Sequence, residues 1–131
     1  MNSRDDVAKF MVAADQVETG MHSPQANLYV DLINEEFNEL LHAYMNRDIV
    51  EVADALADLK WVIEGLEHTL QLPQQEIWDE VARSNLSKIS NTGKIIKRKD
   101  GKVLKPETYS PPNIKKVLEE CGYLVSSPIQ S

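Results

Sequence analysis

Apolar residues recur at helical spacing through most of the chain. Val7, Phe10, Met11 and Ala14 mark a first short helix. Ser3, ahead of Asp5 and Asp6, reads as its N-cap with an acidic first turn. Thr19-Gly20-Met21-His22-Ser23-Pro24 reads as a loop in which His22 is solvated. A second helix is predicted from about Gln25 to Met45. Its residues Tyr29, Leu32, Ile33, Phe37, Leu40, Leu41 and Tyr44 form one broad stripe. Asn46-Arg47-Asp48 is a short connector, with Asp48 as N-cap of a third helix from about Ile49 to Leu70. Val52, Leu56, Leu59, Val62, Ile63 and Leu66 are the apolar side of that helix. So short a connector makes the second and third helices antiparallel neighbours. Pro73 opens a fourth helix with Ile77, Trp78, Val81 and Leu86 inward.

Beyond Asn91-Thr92-Gly93 the texture changes. Two β-capable runs, Ile95-Ile96-Lys97-Arg98-Lys99 and Lys102-Val103-Leu104, flank Asp100-Gly101. That dipeptide predicts a β-hairpin through a type I′ turn, which needs positive φ at both central residues. Pro111-Pro112 leads into a last short helix from Asn113 to about Cys121, stopped by Gly122. The expectation is an all-α, four-helix-bundle-like fold with a small C-terminal β-hairpin and a short final helix. It is one domain over residues 1–131, with a helical core at about 3–90 and the basic hairpin and last helix at about 91–124. There is no internal repeat.

A chain of 131 residues is long enough to bury a core. It contains no apolar run approaching a membrane span, so no membrane partner is expected. Met-Asn-Ser-Arg-Asp-Asp lacks a basic stretch leading into an apolar one, so no signal peptide is expected either. Cys121 is the single cysteine, which excludes an intramolecular disulfide and a cysteine-built zinc site and fits a reduced, cytoplasmic setting. The net charge of −7 hides an asymmetry. From Lys88 to Lys105 seven Lys and Arg face one acid, whereas the remainder carries seven Lys and Arg against 20 acids. A basic arm on an acidic body disfavours long nucleic acid, which the body would repel, and suits a small polyanion.

The acids are not scattered. Glu35, Glu36 and Glu39 lie on the second helix, and Glu51, Asp54 and Asp58 on the third. At about 100° per residue, Asp58 and Glu51 fall roughly 40° and 60° from Asp54. Val62, Ala55, Leu66 and Leu59 border this arc on one side and Trp61 and Ala57 on the other. Lys60, Glu64 and Glu67 mark the wet face. On the second helix the same arc holds Glu36, Glu39 and Glu35 with Leu28, Leu32 and Ala43, while Asn34, Asn38 and Asp31 are wet. Counting outward from the turn puts Glu39 level with Asp54, Glu35 with Asp58 and His42 with Glu51. Carboxylates packed this way repel unless a cation neutralises them. All-oxygen ligation suits Mg²⁺, Mn²⁺ or Ca²⁺ over zinc. A di-iron bundle wants two Glu-x-x-His motifs. The chain has one, Glu39-Leu40-Leu41-His42, with His42 turned to the wet side.

Glu35-Glu36-Phe37-Asn38-Glu39 followed by Glu51-Val52-Ala53-Asp54 resembles the E-E-x-x-E and E-x-x-D pattern of the MazG-like, all-α nucleoside triphosphate pyrophosphohydrolases. These share a superfamily with phosphoribosyl-ATP pyrophosphohydrolase and the dimeric dUTPases. Asp54-Ala55-Leu56-Ala57-Asp58-Leu59, Arg83-Ser84-Asn85-Leu86-Ser87-Lys88 and Asp100-Gly101-Lys102-Val103-Leu104-Lys105-Pro106 extend the resemblance from about Val7 to Leu118. The gap between the acidic motifs is at the short end for the family. The resemblance implies hydrolysis of a nucleoside triphosphate between its α and β phosphates. It implies Mg²⁺ held by Glu36, Glu39, Glu51 and Asp54, with Glu35 and Asp58 nearby as base, outer partner or further ligand. It also implies a homodimer or homotetramer.

Chemistry points the same way. Phosphoryl transfer needs its charge neutralised and a water placed in line. Glu35 or Glu36 is the candidate proton acceptor. Lys88, Lys102 and Lys105 suit a pyrophosphate leaving group, and Asn85 offers an amide to base, sugar or phosphate. Trp61 is either a stacking platform or a core residue, and Tyr109 is equally two-sided. Two alternatives are phosphoribosyl-ATP as substrate, in histidine biosynthesis, and a non-catalytic, metal-stabilised binding module.

Overall fold

A computed structural model describes residues 2–125. Its helices are α1 (Ser3–Ala13), α2 (Pro24–Met45), α3 (Ile49–Thr69), α4 (Gln74–Leu86) and α5 (Ile114–Glu120). None of them is long and apolar enough to cross a membrane. By its internal contacts the chain divides into two compact units, Met1–Leu72 and Pro73–Ser131.

In the first unit the long helices begin where capping chemistry places them. Ser23 accepts from the Ala26 amide ahead of α2, and Asp48 accepts from the Glu51 amide ahead of α3. The connector closes with Arg47 at positive φ (56°), the conformation that lets a helix end turn sharply back. α1 starts one residue earlier than its sequence indicates. Asn2 is the cap, and Ser3 instead donates to Glu64 Oε1 at 2.7 Å.

α2 packs along α3, and α1 lies on α3. Val7, Met11, Tyr29 and Val62 form the buried core, with Leu32, Ile33, Leu59, Trp61 and Leu66 half-buried around it. Closest approach comes at Gly65, where an added Cβ would fall inside the Tyr29 ring. Burial raises the Tyr29 pKa, while its hydroxyl donates to Gln16 Oε1 at 2.5 Å. The buried polar groups beside it are satisfied: Gln25 Nε2 donates to Thr69 Oγ1 at 2.9 Å, and Thr69 donates to the Gly65 carbonyl at 2.9 Å. Because α1 covers part of α3, Glu64 and Glu67 are half-buried and not on a wet face.

The apolar stripe of the α2–α3 hairpin is only partly used. Tyr29 is buried, but Phe37, Leu41, Tyr44 and Leu56 are 44–73 % exposed. On α4, Trp78 and Leu86 are likewise exposed, leaving Ile77 and Val81 half-buried.

The second unit differs from expectation in one respect. The predicted β-hairpin is absent, because no strand forms among the described residues. What remains is one antiparallel bridge, Lys97–Val103, flanked by Arg98 N–H to Lys102 O (2.8 Å) and Leu104 N–H to Ile96 O (2.8 Å). Every residue from 91 to 105 is exposed. A two-stranded ribbon with no sheet or helix against its face is marginal in water. Nor is the turn type I′. Gly101 has positive φ (89°), but Asp100 does not, and Lys99-Asp100-Gly101 make a three-residue connection.

Polar bonds hold the rest of this unit. Thr108 Oγ1 donates to the Ser87 and Ile89 carbonyls (2.9 and 3.1 Å), which lie just past the C-terminus of α4. The Ser110 amide donates to Ser87 Oγ (2.9 Å), which itself donates to Ser84 O (2.6 Å). Glu80 ties α4 to the start of α5, accepting from Arg83 Nε (2.8 Å) and the Asn113 amide (2.7 Å).

Candidate active site

Helical spacing brings Glu36 and Glu39 to one side of α2, and Asp54 and Asp58 to one side of α3. The antiparallel packing then turns the two pairs toward each other. Their electrostatics show that the four form one cluster. Burial, followed by repulsion from Glu39, a hydrogen bond with Glu39 and repulsion from Asp58 and Asp54, raises the Glu36 pKa. Burial, then Asp54 as both repelling charge and hydrogen-bond partner, then Glu39, raises that of Asp58. Glu36 Oε2 is buried without a hydrogen-bond partner. A carboxylate oxygen in that state carries an uncompensated desolvation cost.

Beside this cluster a cavity of about 630 Å³ runs toward the α2–α3 turn. Glu39, Glu51 and Asp54 line it together with Asn38, His42, Asn46 and Asp48. Glu51 sits in the first turn of α3, where the helix dipole favours its charge. Glu35 is exposed, and the acids that interact with Asp58 across the hairpin are Glu36 and Glu39. Asn38 and His42, placed on the wet side by angular phase, are cavity wall. Distance from the turn was the better signal, since it sets His42 level with Glu51.

The arrangement is not a finished metal cage. Among the described residues, no group of three or more His, Cys, Asp or Glu stands in position to hold a metal ion. The donor set nevertheless has the chemistry of a hard-cation site. It is all oxygen, its members repel one another, and one buried oxygen lacks a partner.

Trp61 packs on the core with its ring edge-on to Phe10, at 5.5 Å between centroids and 80° between planes. The remaining candidates belong to the second unit. Lys88 Nζ donates to Asn85 Oδ1 at 3.1 Å and stands 5.9 Å from the Tyr109 ring centroid. Lys105 Nζ stands 5.0 Å from the same centroid. Lys102 is exposed, its backbone amide donating to Asp100 Oδ1 at 3.1 Å. Asn85, Lys88 and Lys105 are thus brought together, and Tyr109 is what joins the two lysines. Nothing in the spacing of the sequence marked Tyr109 as that link.

The model of one protein family, phosphoribosyl-ATP pyrophosphohydrolase, matches residues 10–85. That range is more than half of the chain and includes both acidic motifs. It ends before Lys88 and the basic segment. No curated protein matches the chain in sequence.

Proposed function

The chain belongs to the phosphoribosyl-ATP pyrophosphohydrolase family, a family of nucleotide pyrophosphohydrolases, and from that premise we propose that it hydrolyses a nucleoside or deoxynucleoside triphosphate. The α–β bond is broken, and monophosphate and pyrophosphate are released, a reaction suited to clearing unwanted nucleotides. The observation that carries this reading is the interacting set Glu36, Glu39, Asp54 and Asp58, with its buried, unpartnered Glu36 oxygen.

Mg²⁺, or Mn²⁺ in its place, would be held by Glu36, Glu39, Asp54, Asp58 and Glu51. When bound it supplies charge neutralisation for the phosphates and a lowered pKa for water. The chain's own residues do the rest. A Glu36 oxygen not taken up by the metal is suited to accept a proton from the attacking water, with Glu35 one residue away as the alternate base. Asn85, Lys88, Lys102 and Lys105 bind the phosphate chain and stabilise the leaving pyrophosphate.

A homodimer or homotetramer belongs to this reading. Phe37, Leu41 and Tyr44 recur at helical spacing on α2 and are 44–73 % exposed, as is Leu56 on α3. A second copy of the chain covering this face would bury them. Leu41→Glu should then shift the sedimenting species to a monomer.

The matched family favours a second reading in which phosphoribosyl-ATP is the substrate. The basic segment beyond the matched residues favours the first. One assay separates them: pyrophosphate release from each common and damaged (d)NTP and from phosphoribosyl-ATP, with Mg²⁺. In the same assay Glu39→Gln should abolish turnover and the Mg²⁺-dependent rise in melting temperature. A fully active Glu39→Gln protein would sink the metal assignment.

A further inference from the structure

Lys88 and Lys105 come from segments 17 residues apart in sequence, yet their ammonium groups stand 5.9 and 5.0 Å from the centroid of one ring, Tyr109. Neither lysine makes an ion pair among the described residues. Two unpaired cations ordinarily move apart. Here the negative face of the aromatic ring offsets part of their repulsion without neutralising them. Asn85 Oδ1 fixes the Lys88 ammonium as well.

The ring is itself held. Tyr109 lies between Thr108, which bonds the carbonyls just past α4, and Ser110, whose amide bonds Ser87 Oγ. Its own amide donates to the Pro106 carbonyl at 3.0 Å, closing the turn that directly follows Lys105. The staple therefore joins the residues just past α4, which include Lys88, to the segment that supplies Lys105. Elsewhere in the basic segment Arg98 is taken by Asp100, and among the described residues no aromatic ring or carboxylate holds Lys94, Lys97, Lys99 or Lys102.

We propose that Tyr109 is the positioning residue of a two-lysine clamp for the phosphate chain, and that this clamp binds pyrophosphate-type anions without a divalent cation. The proposal rests on the pyrophosphohydrolase reading but assigns a separable role. Lys88 and Lys105 supply charge to one extended anion, Asn85 orients Lys88, and the ring keeps both ammonium groups together before the anion arrives. A preassembled pair of this kind avoids the ordering cost that two loose lysines meet on binding. A chain of phosphates, with charged oxygens spread along its length, meets two ammonium groups at once more readily than a single small anion does.

Calorimetric titration of the full chain with inorganic pyrophosphate, in excess chelator, tests this. Saturable binding is expected. Tyr109→Leu should weaken it about tenfold, as expected when two cation–π contacts are lost, whereas Tyr109→Phe should bind like the parent. Lys88→Gln and Lys105→Gln should each weaken binding at least as much, and Lys99→Gln, on the same basic segment, should change it little. Circular dichroism of each variant reports whether the helices persist. If Tyr109→Leu loses them, Lys88→Gln and Lys105→Gln decide the matter.

Absence of saturable binding overturns the clamp. So does undiminished binding by a folded Tyr109→Leu protein, or equal competition by sulfate at matched ionic strength. The catalytic reading fails on different evidence. A protein that binds pyrophosphate as described but releases none from any nucleotide overturns that reading alone. A protein that turns over a nucleotide yet ignores pyrophosphate in chelator overturns the clamp alone.

Discussion

The two units are built on opposite physical terms. Met1–Leu72 is acidic and held by packing: Val7, Met11, Tyr29 and Val62 are buried, and Tyr29 presses on Gly65. From Pro73 onward the chain is richer in basic residues, and among the described residues it buries only Gln74 and Ser84. Its order comes from hydrogen bonds at Glu80, Ser87, Thr108 and Ser110. A packed helical hairpin can hold like charges together because its apolar contacts offset their repulsion. A polar staple cannot offset much, so it places charges that a ring or a carboxylate already tolerates. The strained cluster therefore sits on the packed unit, and the relaxed, solvent-facing lysines sit on the stapled one.

If this contrast is right, the largest effect comes from the strained side. Glu36→Gln should reduce turnover by about 1,000-fold, the scale of a lost catalytic acid–base group. The same change removes a half-buried charge that its neighbours disfavour. In chelator the Glu36→Gln protein should consequently melt above the parent. Paired thermal melts and pyrophosphate assays check both signs, and a lower melting temperature would show that the cluster is not strained. Next comes packing. Gly65→Ala forces a methyl into the Tyr29 ring and should cost about 3 kcal/mol. Thr108→Val, which removes the bonds to Ser87 and Ile89 in the other unit, should cost about 1 kcal/mol. Urea unfolding of both would break the contrast if the two losses were equal.

The sequence made the packed unit legible and the stapled one less so. Helix limits in the first unit are local matters: Asp48 is a cap because its side chain reaches the Glu51 amide, and no tertiary contact is needed to know it. Angular phase likewise put Glu36, Glu39, Asp54 and Asp58 on the facing sides of their helices, whereas distance from the turn set Glu35 and not Glu36 against Asp58. The same reasoning misplaced Asn38 and His42, since a helical wheel has no information about where a cavity opens along the axis. It also put Glu64 on a wet face, because covering by α1 is a long-range event. In the second unit, β-propensity at Ile95-Ile96 and Val103-Leu104 pointed to strands, but propensity needs a face to pack on and none covers these residues. The Lys88–Tyr109–Lys105 grouping depends on the staple at Thr108 and Ser110, which no sequence spacing reveals.

Smaller effects sharpen the difference between two lysines of one segment. Lys105→Ala should raise KM for a triphosphate by up to about tenfold, the scale of one charged contact, with little change in melting. Lys102→Ala should raise it less, because no ring holds that side chain in place. Steady-state kinetics that ranked Lys102 above Lys105 would remove the ring from the account.

The smallest expected effect is a pH dependence of the α4–α5 link. Bonds from Arg83 and from the Asn113 amide pull the Glu80 pKa down to about 2, from an ordinary value of 4.5. A carboxylate lowered on folding stabilises the folded form above its unfolded pKa. That contribution fades as pH falls through the folded value. Amide exchange across Ile114–Glu120 should therefore be steady above pH 4.5 and should lose protection progressively as pH falls toward 2. In Glu80→Gln the carboxylate is gone, so this part of the acid transition should disappear while protection is weaker throughout. The strained cluster has the opposite sign, because its raised carboxylates favour the folded form only when protonated. Acid should thus loosen α5 while the metal-free α2–α3 hairpin tightens. Protection that fell equally in α5 and in the hairpin would mean that the two units do not differ in how they bear charge.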